Sequence, residues 1–161
     1  MKTTSKFIAK SGIIAAMYVL LTFVSSIFGL ASGQIQVRIS EALCVLPIFT
    51  PTAVPGLFVG CLLSNLLFGG GIIDVIFGSL ATLIGAFATR MLRKSRPLAV
   101  AMPILANTII LPLVEVYAFG ITAGYLYIVL TIFIGELISI GVLGAILIKV
   151  LSRHSIGGEI F

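Results

Sequence analysis

Charge is scarce in this chain. Charged residues make up 9% of its 161 positions and hydrophobic ones 60%, against about 25% charged in an ordinary soluble domain. Cysteine occurs only as Cys44 and Cys61, both inside apolar runs, which implies no disulfide framework and two small buried side chains instead. Histidine occurs once, at His154, and a lone histidine offers no metal constellation. There is no G-x-x-x-x-G-K-[ST] loop, so this chain does not energise anything with ATP by itself. No nucleophile–base pair argues for an enzyme, and neither a cofactor nor a metal is expected. With no internal repeat and no low-complexity linker, residues 1–161 are expected to form a single domain. What remains is a polytopic membrane protein, read from nearly unbroken apolar stretches. The net charge of +5 then reports topology rather than a nucleic-acid partner.

The pattern predicts an all-α bundle of six transmembrane helices with a short or broken second helix. Lys2, Lys6 and Lys10 precede an apolar stretch from Gly12 to Leu30. That stretch exceeds the roughly 7–15 residues of a signal core, so it reads as a retained first helix over about Phe7 to Phe28. Segment 2, Gln34 to Phe49, opens on a polar patch holding Gln36, Arg38, Ser40 and Glu41. At 1.5 Å per residue it reaches about 24 Å, against roughly 30 Å of hydrocarbon. Pro51 and Pro55 break the chain there. Helix 3 runs over Ala53 to Phe68 and is closed by Gly69, Gly70 and Gly71. Helices 4, 5 and 6 follow over Ile72 to Leu92, Pro97 to Phe119 and Tyr125 to Leu151.

Nine of the ten basic residues lie before helix 1, between helices 4 and 5, or after helix 6. The positive-inside rule makes that side cytoplasmic, with both termini inside a bacterial cell membrane. Six crossings satisfy this, and so do four crossings plus a re-entrant hairpin of segments 2 and 3. Five do not. Small residues repeat every fourth position at Gly56, Gly60 and Ser64, at Gly78, Thr82 and Ala86, and at Gly12 and Ala16, which lets helices approach closely.

Arg38, Glu41, Asp74, Glu115 and Glu136 lie in or at the edge of apolar segments. A charge at a helix centre costs about 2.5–3.5 kcal/mol on insertion scales, so Glu136 must face the bundle or a wet cavity. Arg38 and Glu41, three apart, share a face on a helix and can pair. Asn65 and Asn107 serve either as interhelical glue or as ligand contacts, and Asp74 either caps helix 4 or joins them. Short segments carrying polar residues are where small solutes bind in transporters. The acidic surplus suits a ligand rich in N–H donors or bearing a cation, with Gln34, Gln36, Asn65 and Asn107 adding donors and acceptors.

The stretch from Gln36 to Thr82 resembles the queuosine-precursor transporter (QueT) family. It holds Arg38, Ser40, Glu41 and Pro47, then Pro55 to Asn65, then Asp74 to Thr82; Gly135, Glu136, Gly141 and Gly144 add to the likeness. The resemblance implies a substrate-binding S component of an energy-coupling-factor transporter, working with a membrane coupling subunit and two cytoplasmic ATPases. It implies a 7-deazaguanine ligand, such as a pre-queuosine base or queuine, held near the outer face by Gln36, Arg38, Glu41, Asn65, Asp74, Asn107, Glu115 and Glu136. It also implies a docking motif on helix 1, here Gly12, Ala15 and Ala16, with Gly12 where the family usually has alanine. Three rival readings stay open: an S component for another flat vitamin or nucleobase, a proton-coupled small permease, and a structural membrane protein of the cell-shape apparatus.

Overall fold

The computed structural model describes residues 2–31, 35–69, 71–117, 120 and 124–154, and among them every regular element is helical. Gln34, Phe119, Glu159 and Phe161 lie outside the described residues. Helix α1 (Lys2–Ile27) leads to a 3-10 helix, η1 (Ile39–Ile48), and then to α2 (Ala53–Phe68), α3 (Ile72–Met91) and α4 (Arg96–Tyr117). The last rod joins α5 (Tyr125–Glu136), a π segment (Leu137–Leu143) and α6 (Gly144–His154). Four stretches are long and apolar enough to cross a membrane: Thr4–Ile27, Ile72–Met91, Arg96–Tyr117 and Tyr125–Arg153. The 10 residues of η1 and the 16 of α2 reach only about 20 and 24 Å, at about 2.0 and 1.5 Å per residue.

Contacts between elements fix the direction of each. α1 and α2 run side by side in the same sense, with Ser11 Oγ donating to Thr52 O at 3.0 Å near their starts. Near their ends the rings of Phe23 and Phe68 lie 5.7 Å apart. η1 runs the same way as α3, whose Arg90 donates to the carbonyl of Pro47 at 3.1 Å. The final rod also follows η1: Gly135 abuts the Gln36 backbone, and Gly144 faces Val45. α3 and α4 are antiparallel, because Gly85 faces Pro103 while Thr89 bonds Ala99. The six segments therefore alternate in direction along the chain. Lys6, Lys10, Arg90, Arg93, Lys94, Arg96, Lys149 and Arg153 gather at one end, and Arg38, Asp74 and Glu115 toward the other.

η1 is the axis of the bundle. Every residue from Ser40 to Pro47 is buried, with α1, α3, the π segment and α6 around it. Large apolar side chains such as Leu20, Leu66, Ile84, Ile109, Leu126 and Ile146 cover the outside, as a lipid-facing surface requires. Two glycines bring α2 against α1: a Cβ on Gly56 would stand 2.8 Å from Ser11 O, and one on Gly60 2.7 Å from Tyr18 Cβ. In α4, Pro103 has no N–H to offer the carbonyl four residues back. Thr89 Oγ1 supplies the missing donor, bonding Ala99 O at 2.9 Å. Arg90 does the same for the last carbonyls of η1, at Pro47 and Ile48.

Two local expectations change. Asp74 does not cap its helix: Gly71 takes the N-cap position with no side-chain cap bond. Helix 6 is not one α-helix, since the π segment begins directly after Glu136.

Candidate ligand site

The site is built where η1 starts. Arg38 has extended backbone (φ −98°, ψ 110°), so it is not on the helical face that carries Glu41. It turns instead toward α2, and its Nη1 donates to Asn65 Oδ1 at 3.0 Å. Glu41, 4% exposed, accepts the Tyr18 phenol on Oε1 and the Cys44 thiol on Oε2 at 3.1 Å. The pairing suggested by their spacing is thus replaced by two separate sets of hydrogen bonds, although Arg38 and Glu41 remain within Coulombic reach.

Asn65 works as a hub between α2 and α3. Besides accepting from Arg38, its Nδ2 donates to Asp74 O at 3.3 Å and reaches Cys61 Sγ at 3.5 Å. Gly78 makes room for this amide, because a Cβ there would stand 2.8 Å from Asn65 Nδ2. Thr82 Oγ1 lies 3.2 Å from Cys61 Sγ. On the opposite wall, Asn107 Nδ2 of α4 donates to Glu136 Oε1 at 2.9 Å. Glu136 Oε2 and Ser139 Oγ in the π segment are shielded from solvent and have no hydrogen-bond partner among the described residues.

Charge ties these walls together. Glu136 feels Glu41 and Arg38, while the half-buried Asp74 and Glu115 both lie near Arg38. One cation therefore stands among four acids, and α1, η1, α2, α3, α4 and α5 all contribute. The exposed Gln36 is at the rim, where its backbone rather than its side chain meets Gly135.

Of the eight residues that the sequence singles out, side-chain hydrogen bonds join Arg38 to Asn65 and Asn107 to Glu136, Glu41 is bonded to Tyr18 and Cys44, and Gln36, Asp74 and Glu115 lie toward the rim. Sequence reasoning misses Tyr18, Cys44, Cys61 and Thr82. Their only signal was a polar or polarisable atom in an apolar run, which is also how a packing residue reads. Among the described residues, no group of three or more His, Cys, Asp or Glu side chains is placed to hold a metal ion.

The three helix 1 residues separate. Gly12 and Ala16 lie on an exposed face of α1, and a Cβ on Gly12 would meet nothing within 4 Å. Ala15 is buried, and its backbone packs under Gly60 of α2.

A family model described as QueT transporter matches residues 8–153. A curated relative described as "Queuosine precursor transporter QueT", from Lactococcus lactis subsp. cremoris (strain MG1363), is 35% identical over 83 residues. That match covers 52% of this chain and 48% of the relative, so it spans about half the relative's length. No solved structure matches the chain. With the family model running from the second turn of α1 to the end of the last rod, this multi-pass helical membrane protein belongs to the QueT transporter family.

Proposed function

We propose that the protein is the substrate-binding membrane subunit of an energy-coupling-factor importer. It captures a queuosine precursor, a 7-deazaguanine base or queuine, at the outer face for uptake driven by a separate module. The observation that carries this reading is the polar cluster itself. Arg38, Glu41, Asn65, Asn107 and Glu136 converge from η1 with its N-cap, α2, α4 and α5 inside an apolar bundle, a costly arrangement for packing alone. A guanine-like edge presents N–H donors that a carboxylate accepts in pairs, and an aminomethyl group adds a cation suited to the acidic surplus. The name of the relative supports the same ligand class.

In this reading the chain crosses six times, with η1 and α2 completing the count, and both termini are cytoplasmic. Asp74 and Glu115 stand at the mouth of the site with Gln36. The exposed Gly12–Ala16 face of α1 meets the membrane coupling subunit, which two cytoplasmic ATPases serve, while Ala15 acts from beneath by keeping α1 close to α2. The chain has no catalytic chemistry of its own.

The test is equilibrium binding of purified protein to 7-aminomethyl-7-deazaguanine, queuine, riboflavin, thiamine and biotin. Selective binding of a deazaguanine is expected. Selective binding of another compound in the panel would move the protein to a different vitamin, and binding of none would remove the capture role.

A further inference from the structure

Glu41 and Glu136 leave different things for a ligand. Both oxygens of Glu41 already accept internal donors, Tyr18 and Cys44, and both of those residues are fully buried. The grip continues along α1. Thr22 Oγ1 donates to Ser40 Oγ at 2.8 Å, and Ser25 Oγ accepts the Ile39 N–H at 2.9 Å. Successive turns of α1 therefore hold residues 41, 40 and 39 in order. Glu41 is one clamp of the ladder that seats the start of η1, and with it Arg38. Glu136 is held on one side only. Asn107 takes Oε1, whereas Oε2 is shielded from solvent and has no hydrogen-bond partner among the described residues. A buried acceptor left open is costly, and that cost is relieved when a donor arrives. Oε1 keeps a second lone pair beside Asn107, so both oxygens remain able to accept.

We propose that Glu136 is the carboxylate that receives the donor edge of the ligand, and that Glu41 is a positioning residue locked from α1 by Tyr18. This assignment rests on the ligand-capture reading above and divides a role that the sequence gives equally to both acids.

The experiment compares 7-aminomethyl-7-deazaguanine with its analogue lacking the exocyclic amine, measuring Kd for each on full-length protein. Wild type should prefer the amine-bearing compound by about 10-fold or more, the share of one charge-assisted bond. Glu136→Gln should weaken binding of that compound by about 10- to 150-fold and bring the ratio of the two Kd values toward one. Tyr18→Phe and Glu41→Gln should weaken both compounds together and keep the ratio, which marks positioning rather than contact. A ratio that survives in Glu136→Gln, or collapses in Glu41→Gln, overturns the assignment. Should Glu136→Gln fail to fold, Glu136→Asp withdraws the carboxylate by one methylene and carries the same expectation and the same overturning result. Wild-type protein that binds neither compound overturns the capture reading and this assignment with it, a result distinct from a surviving ratio.

Discussion

At the scale of single residues, glycine marks where helices touch and where they do not. Gly60 lies against Tyr18 and Ala15, so Gly60→Ala must push α1 away from α2. Overpacking of this kind costs about 1–3 kcal/mol, and the thermal unfolding temperature in detergent should fall. Gly12→Ala fills open space on an exposed face. It should leave that temperature unchanged or slightly raised, as expected for replacing glycine inside a helix. Equal losses in the two variants would mean that α1 is packed differently from this arrangement. The same contrast explains Cys44 and Cys61. Both are buried, as expected of small side chains in apolar runs, yet each also serves as a polar partner, Cys44 to Glu41 and Cys61 to Asn65 and Thr82.

At the scale of elements, irregular backbone survives in the bundle only where something satisfies it. Pro103 leaves the Ala99 carbonyl without its helical donor, and Thr89, fully buried on α3, provides one. Thr89→Val keeps the shape and removes the hydroxyl, so it should cost about 1–3 kcal/mol, the penalty of an unsatisfied buried acceptor. Thermal unfolding would read it, and a variant as stable as wild type would mean that water or another donor reaches Ala99. η1 obeys the same rule: ten residues of 3-10 helix are unusual, but this one is enclosed by its neighbours and Arg90 donates to its final carbonyls. The chain gains length from the tighter helix, which carries it from the Arg38 end of the bundle to the Arg90 end in few residues.

At the scale of the whole molecule, alternating segment directions bring the basic residues to one end. If that end is cytoplasmic, Lys94→Cys should resist an impermeant thiol reagent in intact cells, in a background with Cys44 and Cys61 replaced. Labelling from outside would reverse the orientation. The exposed Gly12–Ala16 face makes a second forecast. If the proposed coupling subunit docks there, Gly12→Leu with Ala16→Leu should block close approach and reduce co-purification with it, while affinity for the proposed ligand persists. A double variant that co-purifies at normal yield would put the docking surface elsewhere.

The sequence by itself determined the membrane class, the six helical segments and their approximate limits, because hydropathy, proline breaks and charge clusters act locally along the chain. It also picked out the expensive polar residues, since their cost depends on depth alone. Only the tertiary structure decided their partners. Arg38 and Glu41 are three apart in sequence, yet η1 begins between them, sending one side chain to Asn65 and the other to Tyr18. Tyr18 carried no warning, because its role arises from a segment 23 positions away. The π segment was equally silent, since the apolar run of the last helix continues unchanged through it. Hydrogen-bond partners in a bundle are chosen by which helices meet and at what level, and no local window of the chain contains that information.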